Sequence, residues 1–269
     1  MADTKGERIA KVLARAGLCS RRDAERWIGE GRVALDGRVL TSPAVTVTAA
    51  NDIRVDGKPL PAPAPARLWR HHKPAGLVTT HRDERNRPTV FARLPKELPR
   101  LISIGRLGLT SEGLLLLTND GELARALELP SRGWLRRYRV RVHGTPDPAA
   151  LAALAQGITI AGVNYGPIEA VLERQQGSNA WLVVSLGEGR NREVRRVMEH
   201  LGLSVTRLIR VAYGPFQLGH LPRGETEEVP ARVLADQLGT AGRRGPALKP
   251  APSRRRGPTR KPQHAHHRG

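Results

Sequence analysis

The chain has 269 residues, enough for one or two domains with a real core and a tail. Its formal charge is +20, from 45 Lys and Arg against 25 Asp and Glu, and its pI is about 11.4. So one-sided a balance points to a polyanion partner, because every phosphate neutralised releases counterions and adds affinity whatever the sequence. A single cysteine, Cys19, excludes a disulfide framework and any multi-cysteine zinc site. No apolar run approaches the roughly 18 residues of a membrane span. The N-terminal M-A-D-T-K-G-E-R lacks the apolar core of a signal peptide, so a cytoplasmic location with no membrane association is expected.

Residues 7–30 read as two helices. Ile9, Val12, Leu13 and Ala16 recur at helical spacing, Gly17 closes the first helix, and Ser20 with Asp23 caps the second. Arg8, Lys11, Arg15, Arg21, Arg22 and Arg26 decorate them. Residues 31–39 suggest a hairpin around Asp36-Gly37, with a further strand pair between Val45 and Val55. Cys19 reads as a small packed residue without a base to activate it. The run R-I-A-K-V-L-A-R-A-G-L-C-S-R-R-D-A-E-R-W-I-G-E-G-R-V-A-L-D-G resembles the S4 RNA-binding domain, over about residues 7–57. The resemblance implies that the six basic side chains form a face for RNA backbone, and a dense positive surface is suited to that. Residues 58–66, with P-L-P-A-P-A-P inside them, predict an extended, semi-rigid spacer.

A second domain is expected over 67–236. H-K-P-A-G-L-V-T-T (72–80) is a stiff strand-to-loop passage, and the charged 81–88 stretch is expected to be a loop touching RNA. His71, His72 and His81 lack metal-ligand spacing and are read as non-ligands. Then comes S-I-G-R-L-G-L-T-S-E-G-L-L-L-L-T-N-D-G (103–121): an apolar lead-in, a polar loop carrying Arg106, Thr110, Ser111 and Glu112, and a buried Leu114–Leu117 strand. That strand feeds a hairpin-type turn at Asp120-Gly121. A short helix follows over 122–129, then a strand from Tyr138 to Val142 with one basic face. Residues 147–156 read as a helix, and strands over 157–172 and 180–186 enclose a turn at 175–179. G-E-G-R-N-R-E-V-R-R (187–196) is a glycine-rich basic loop entering a helix, where amides and arginines meet anions.

These three stretches, with Tyr138 between them and L-P-R-G-E-T-E-E-V after them, resemble the RNA pseudouridine synthases. The implied fold is α+β: a small S4 domain, then a larger domain on a mixed, mainly antiparallel sheet. The implied chemistry is isomerisation of uridine in RNA, by detaching the base, turning it and rejoining it through C5, with no cofactor and no metal. The resemblance implies that Arg106 assists RNA entry, Tyr138 holds the base and Arg195 pairs with the family's catalytic aspartate. It also implies that Lys73, Arg190 and Arg192 lie along the RNA. Where the family has that aspartate, this chain has Gly108. Glycine supplies neither nucleophile nor base. Glu112 and Asp120 are poor stand-ins: nothing in the sequence aims Glu112 at a pocket, and Asp120 sits beyond an apolar strand. Three accounts of residue 108 stay open: a change in an otherwise intact enzyme lineage, a retained RNA-binding relative without catalysis, or another acid in the role. The completeness of the other motif residues favours the first. The Leu129-Pro130-Ser131-Arg132 stretch and the basic tail look more like the large-subunit (23S-type) than the small-subunit (16S-type) ribosomal RNA branch, and a monomer is expected.

Residues 239–269 are expected to be disordered, because residues 240–269 hold nine Lys and Arg, no Asp or Glu, and scattered Pro and Gly. The segment reads as an electrostatic tether to RNA. Truncation after Gly239 is expected to weaken RNA binding and flatten its salt dependence. An unchanged slope of log K against log[salt] contradicts the tether.

Overall fold

The computed structural model describes residues 6–62, 64–129 and 132–239. The tail and the Pro130-Ser131 pair named above lie outside them.

The N-terminal unit folds around Ile9, Leu13, Cys19, Ala24, Ile28 and Val33. Its helices are Ile9–Arg15 and Arg21–Gly29. Ser20 opens the second with a reciprocal cap: its hydroxyl accepts from the Asp23 N–H at 3.0 Å while Asp23 reaches back to the Ser20 N–H. The hairpin of Val33–Leu35 with Arg38–Val39 forms as expected. The strand pair expected between Val45 and Val55 does not: Thr46–Val47 pairs with Glu7–Arg8, and Ile53–Val55 pairs with Val33–Leu35. Two residues that read as the start of a helix are thus a strand. Cys19 is buried, which pushes its thiol up to about 11 and leaves it inert.

The second unit is built on a nine-stranded sheet. From one edge the order of seven strands is Ile168–Gln176, Asn179–Leu186, Arg136–His143, Ser204–Tyr213, Ser111–Thr118, Leu68–Lys73 and Thr226–Glu228, while two short ones, Phe216–Gln217 and Ile102–Ile104, pair with Ser204–Tyr213 and Ser111–Thr118. The pairing of Ser204–Tyr213 with Ser111–Thr118 is parallel and the other pairings are antiparallel. Every residue of Ser111–Thr118 is buried. Leu115 and Leu117 pack on one face with Trp69, Tyr138 and Val140, and Leu114 and Leu116 on the other with Leu68, Tyr213 and Phe216. Burial on both faces is why this strand reads as a continuous apolar run instead of an alternation. The Asp120-Gly121 signal marks no hairpin. Asp120 is the N-cap of helix Gly121–Glu128, its carboxylate accepting from the Glu122 and Leu123 N–H groups at 2.9 and 2.7 Å. Asp suits a helix start as well as a turn.

The two units meet through exposed ion pairs, Lys11 with Glu122 and Arg82 with Asp23 at 3.6 Å, each worth little alone.

His71 lies buried in the Leu68–Lys73 strand, its Nδ1 against Thr226 Oγ1 at 2.9 Å and its Nε2 without a partner. Burial pushes its pKa down to about 4. The unfolded chain therefore takes up the proton first, and the stability held above the ordinary histidine pKa is lost as pH falls towards 4. The expected loss is at most about 1.4 kcal/mol per pH unit in that window. Urea denaturation of the parent and His71→Phe across pH 7 to 4 checks it, and an equal acid slope in both contradicts it.

Candidate active site

The start of strand Ser111–Thr118 and the loop before it, the adjacent strand Ser204–Tyr213, the strand Arg136–His143 beyond that one, and the N-terminal end of helix Glu193–His200 surround a cleft of about 1020 Å³. Arg106, Gly108, Tyr138 and Arg195, remote from one another in sequence, all line it. Tyr138 is 8% exposed and packs in the core beside Val140, so its ring is held by the sheet. Arg106 is exposed on the loop before the buried strand. Arg195 is half-buried: its Nη1 donates to Val205 O at 2.9 Å and its Nη2 to Thr110 O at 3.3 Å. Burial, with Arg192 next to it, lowers its pKa. Among the described residues no carboxylate pairs with it, since Glu199 is taken by Arg192 at 3.7 Å.

Lys73 corrects one expectation. It does not lie along RNA; it is fully buried, and its Nζ donates to the carbonyls of Pro74, Gly108 and Ser111 at 2.9, 3.1 and 2.9 Å. Burial pulls its pKa down to about 8. The lysine is a clamp on the loop that carries residue 108, and no phosphate reaches it.

Two glycines of that loop behave differently. Gly113 has φ +100°, and a Cβ there would sit 2.3 Å from Arg210 O, so only glycine lets the two strands close. Gly108 has no such need. Its φ is ordinary, and a Cβ would meet only Ser111 Oγ, at 3.7 Å. Glu112 is not a spare acid: it is buried, and both of its oxygens are taken by Arg207 at 2.9 and 3.0 Å. Asp120 is committed to its helix cap.

Arg190 and Arg192 sit on the loop before helix Glu193–His200 and line the cleft, with Arg190 also bonded to Glu188 at 2.6 Å. The 81–88 loop contributes Arg82, Arg85 and Arg87 to the lining of the same cleft, and it is shaped by the Asp83–Arg87 pair at 2.6 Å. The six basic residues of the N-terminal unit divide in two. Arg8, Arg21 and Arg22 are exposed and bonded to no acid among the described residues, whereas Lys11 and Arg15 pair with Glu7 and Arg26 with Asp23.

Sequence reasoning gave no role to Arg210, Arg136 or Glu193, although Glu193 stands in the 187–196 motif. Arg210 is 3% exposed, donates through Nε to Leu114 O at 2.7 Å, and keeps Nη2 unpartnered in the wall of the cleft. Its guanidinium lies 5.2 Å from the Tyr213 ring, and that of Arg136 lies 4.9 Å from the same ring while donating to its hydroxyl at 3.1 Å. The signal for Arg210 was present as a lone charge inside the apolar run L-I-R-V-A-Y. Glu193 accepts the Arg190 N–H at 2.8 Å with one oxygen and leaves the other without a partner, and burial raises its pKa.

Two outcomes are expected in urea denaturation. Gly108→Asp changes stability by no more than about 1 kcal/mol, while Gly113→Asp fails to fold. Lys73→Met costs about 3 kcal/mol, because the Pro74, Gly108 and Ser111 carbonyls, the last of them buried, lose a charged donor. A Lys73→Met variant as stable as the parent contradicts the clamp.

Comparison with known proteins bears on the family and the fold. Residues 67–200 match the RNA pseudouridylate synthase family and residues 7–53 the S4 domain. An uncharacterized RNA pseudouridine synthase of Rickettsia felis is 47% identical over 85% of this chain and 99% of its own length. Ribosomal large subunit pseudouridine synthase B of Salmonella typhi is 44% identical over 83% of this chain and 79% of its own. A solved pseudouridylate synthase superposes with a TM-score of 0.60 at 26% identity, covering 85% of this chain and 98% of that one. Likeness at this level spans both folded units, and the chain therefore belongs to the RNA pseudouridine synthases, a family of isomerases, and carries an S4 domain ahead of the synthase domain.

Proposed function

We propose that the cleft receives one uridine of large-subunit ribosomal RNA, extruded from its stack, and that the chain as written turns it over poorly or not at all. The observation that carries this is the convergence of Arg106, Tyr138, Arg195 and Gly108 on one basic cleft. An extruded base needs a fixed aromatic face and a guarded pocket. Tyr138, locked by the sheet, supplies the face. Arg106 stands at the exposed rim, where it fills or supports the space the base leaves. Arg190, Arg192 and the arginines of the 81–88 loop hold phosphates, and the N-terminal unit adds a remote grip through Arg8, Arg21 and Arg22. Kinship with enzymes named for the large ribosomal subunit supports that subunit's RNA as substrate.

Breaking the glycosidic bond calls for a carboxylate at 108, kept ionised by Arg195. Gly108 leaves that step without its acid, and Glu112 and Asp120 are committed elsewhere. A lineage that recently carried an acid there fits the open Cβ direction and the ordinary backbone at 108. The same glycine favours a second reading, a non-catalytic RNA-binding or ribosome-assembly factor derived from the family. We assign residues 7–57 to RNA capture, 58–66 to a spacer and 67–236 to the synthase domain, acting as a monomer in the cytoplasm.

Pseudouridine mapping of ribosomal RNA incubated with each protein separates the readings. Gly108→Asp is expected to raise turnover at least about 1000-fold over the parent, the scale of a lost catalytic carboxylate. If Gly108→Asp modifies no ribosomal RNA fragment, the enzyme lineage is wrong. If the parent turns over as fast as the variant, the role given to residue 108 is wrong.

A further inference from the structure

The cleft at residue 108 combines space, positive charge and no acid. Beyond Gly108 Cα, a Cβ position has only Ser111 Oγ within contact range, at 3.7 Å, and Gly108 itself lines the cleft. Two cations hold the loop around it. Lys73 Nζ bonds Gly108 O at 3.1 Å, and Arg195 Nη2 bonds Thr110 O at 3.3 Å. Neither has an acid of its own among the described residues. Glu112, whose field Lys73 feels, gives both oxygens to Arg207, and Glu199 is held by Arg192. Arg195 spends one N–H on each of two carbonyls, and a guanidinium carries five, so donors remain for a ligand. Arg195 feels the field of Glu199 but bonds no acid among the described residues, and a half-buried cation with no bonded acid is stabilised by a small anion beside it.

We propose that this position is a binding site for a small free carboxylate, of the size of acetate, seated between Gly108 and the Arg195 guanidinium. The planar fork of arginine matches a carboxylate better than it matches a spherical ion. Size points the same way, since acetate has the two carbons and two oxygens of an aspartate side chain cut from its Cα. The proposal deepens the reading of the cleft as one that lacks its acid, and it concerns binding alone, with no RNA present.

The test is titration of the full-length protein with [13C]acetate, read by NMR line broadening, and by thermal denaturation in sodium acetate against sodium chloride at equal ionic strength. The parent is expected to show saturable broadening and a rise in Tm beyond that in chloride, half-saturated at roughly tens of millimolar, as suits one or two charge-assisted hydrogen bonds. Gly108→Asp, which supplies its own carboxylate, is expected to abolish both effects, and Arg195→Gln to weaken them at least about tenfold. Acetate acting no differently from chloride overturns the site. So does acetate binding undiminished in Gly108→Asp, or sulfate displacing acetate at equal concentration, which would mark a general anion patch. Failure of acetate to bind leaves the enzyme lineage standing. Failure of Gly108→Asp to modify RNA leaves the acetate site standing.

Discussion

The arrangement of the cleft depends on one buried ammonium group. Lys73 stands at the end of the Leu68–Lys73 strand with no water around it, and its three donors are spent on the carbonyls of Pro74, Gly108 and Ser111. Those bonds fix the loop between residues 108 and 111 against the end of the Leu68–Lys73 strand. Gly113 fixes the other side, since the absence of a Cβ lets Ser111–Thr118 lie against the backbone of Arg210. The loop thus has no slack at either end. A residue at 108 enters the cleft at a place set by the sheet, which is the preorganisation a catalytic side chain requires.

Around that fixed point the electrostatics run one way. Arg106, Arg190, Arg192 and Arg195 line the cleft along with the arginines of the 81–88 loop, and the few acids nearby are mostly engaged in shaping loops. Asp83 holds Arg87, and Glu193 accepts a backbone amide. Such a surface suits a polyanion that bends over the opening and lowers one unit into it. Arg210 and Arg136, 5.2 and 4.9 Å from the Tyr213 ring and the latter bonded to its hydroxyl, stiffen the wall of the cleft. The N-terminal unit contributes fewer free cations than its composition suggests, because Lys11, Arg15 and Arg26 are tied to acids.

Much of this was legible in the order of residues. Ser20 and Asp23 announced a capped helix, and the leucine run announced a strand buried on both sides, since each signal is local. The four cleft residues were found by motif resemblance and not by periodicity, which carries no information on long-range convergence. Lys73 was assigned to RNA through motif resemblance alone, and only three-dimensional structure reveals the carbonyls that hold it buried. Asp120 was misread for a different reason: Asp-Gly serves turns and helix starts alike, and the choice rests with what packs beyond. Arg210 was given no role, because a lone charge inside an apolar run does not say what it faces. It is the sort of local inconsistency that marks a site.

At the centre is the claim that the cleft is complete except for one carboxylate. A crystal structure of Gly108→Asp tests it most directly. The new carboxylate is expected to lie within hydrogen-bond distance of the Arg195 guanidinium, with Lys73 still on its three carbonyls and Tyr138 unmoved. A carboxylate turned out to solvent, with Arg195 drawn to another partner, would contradict it.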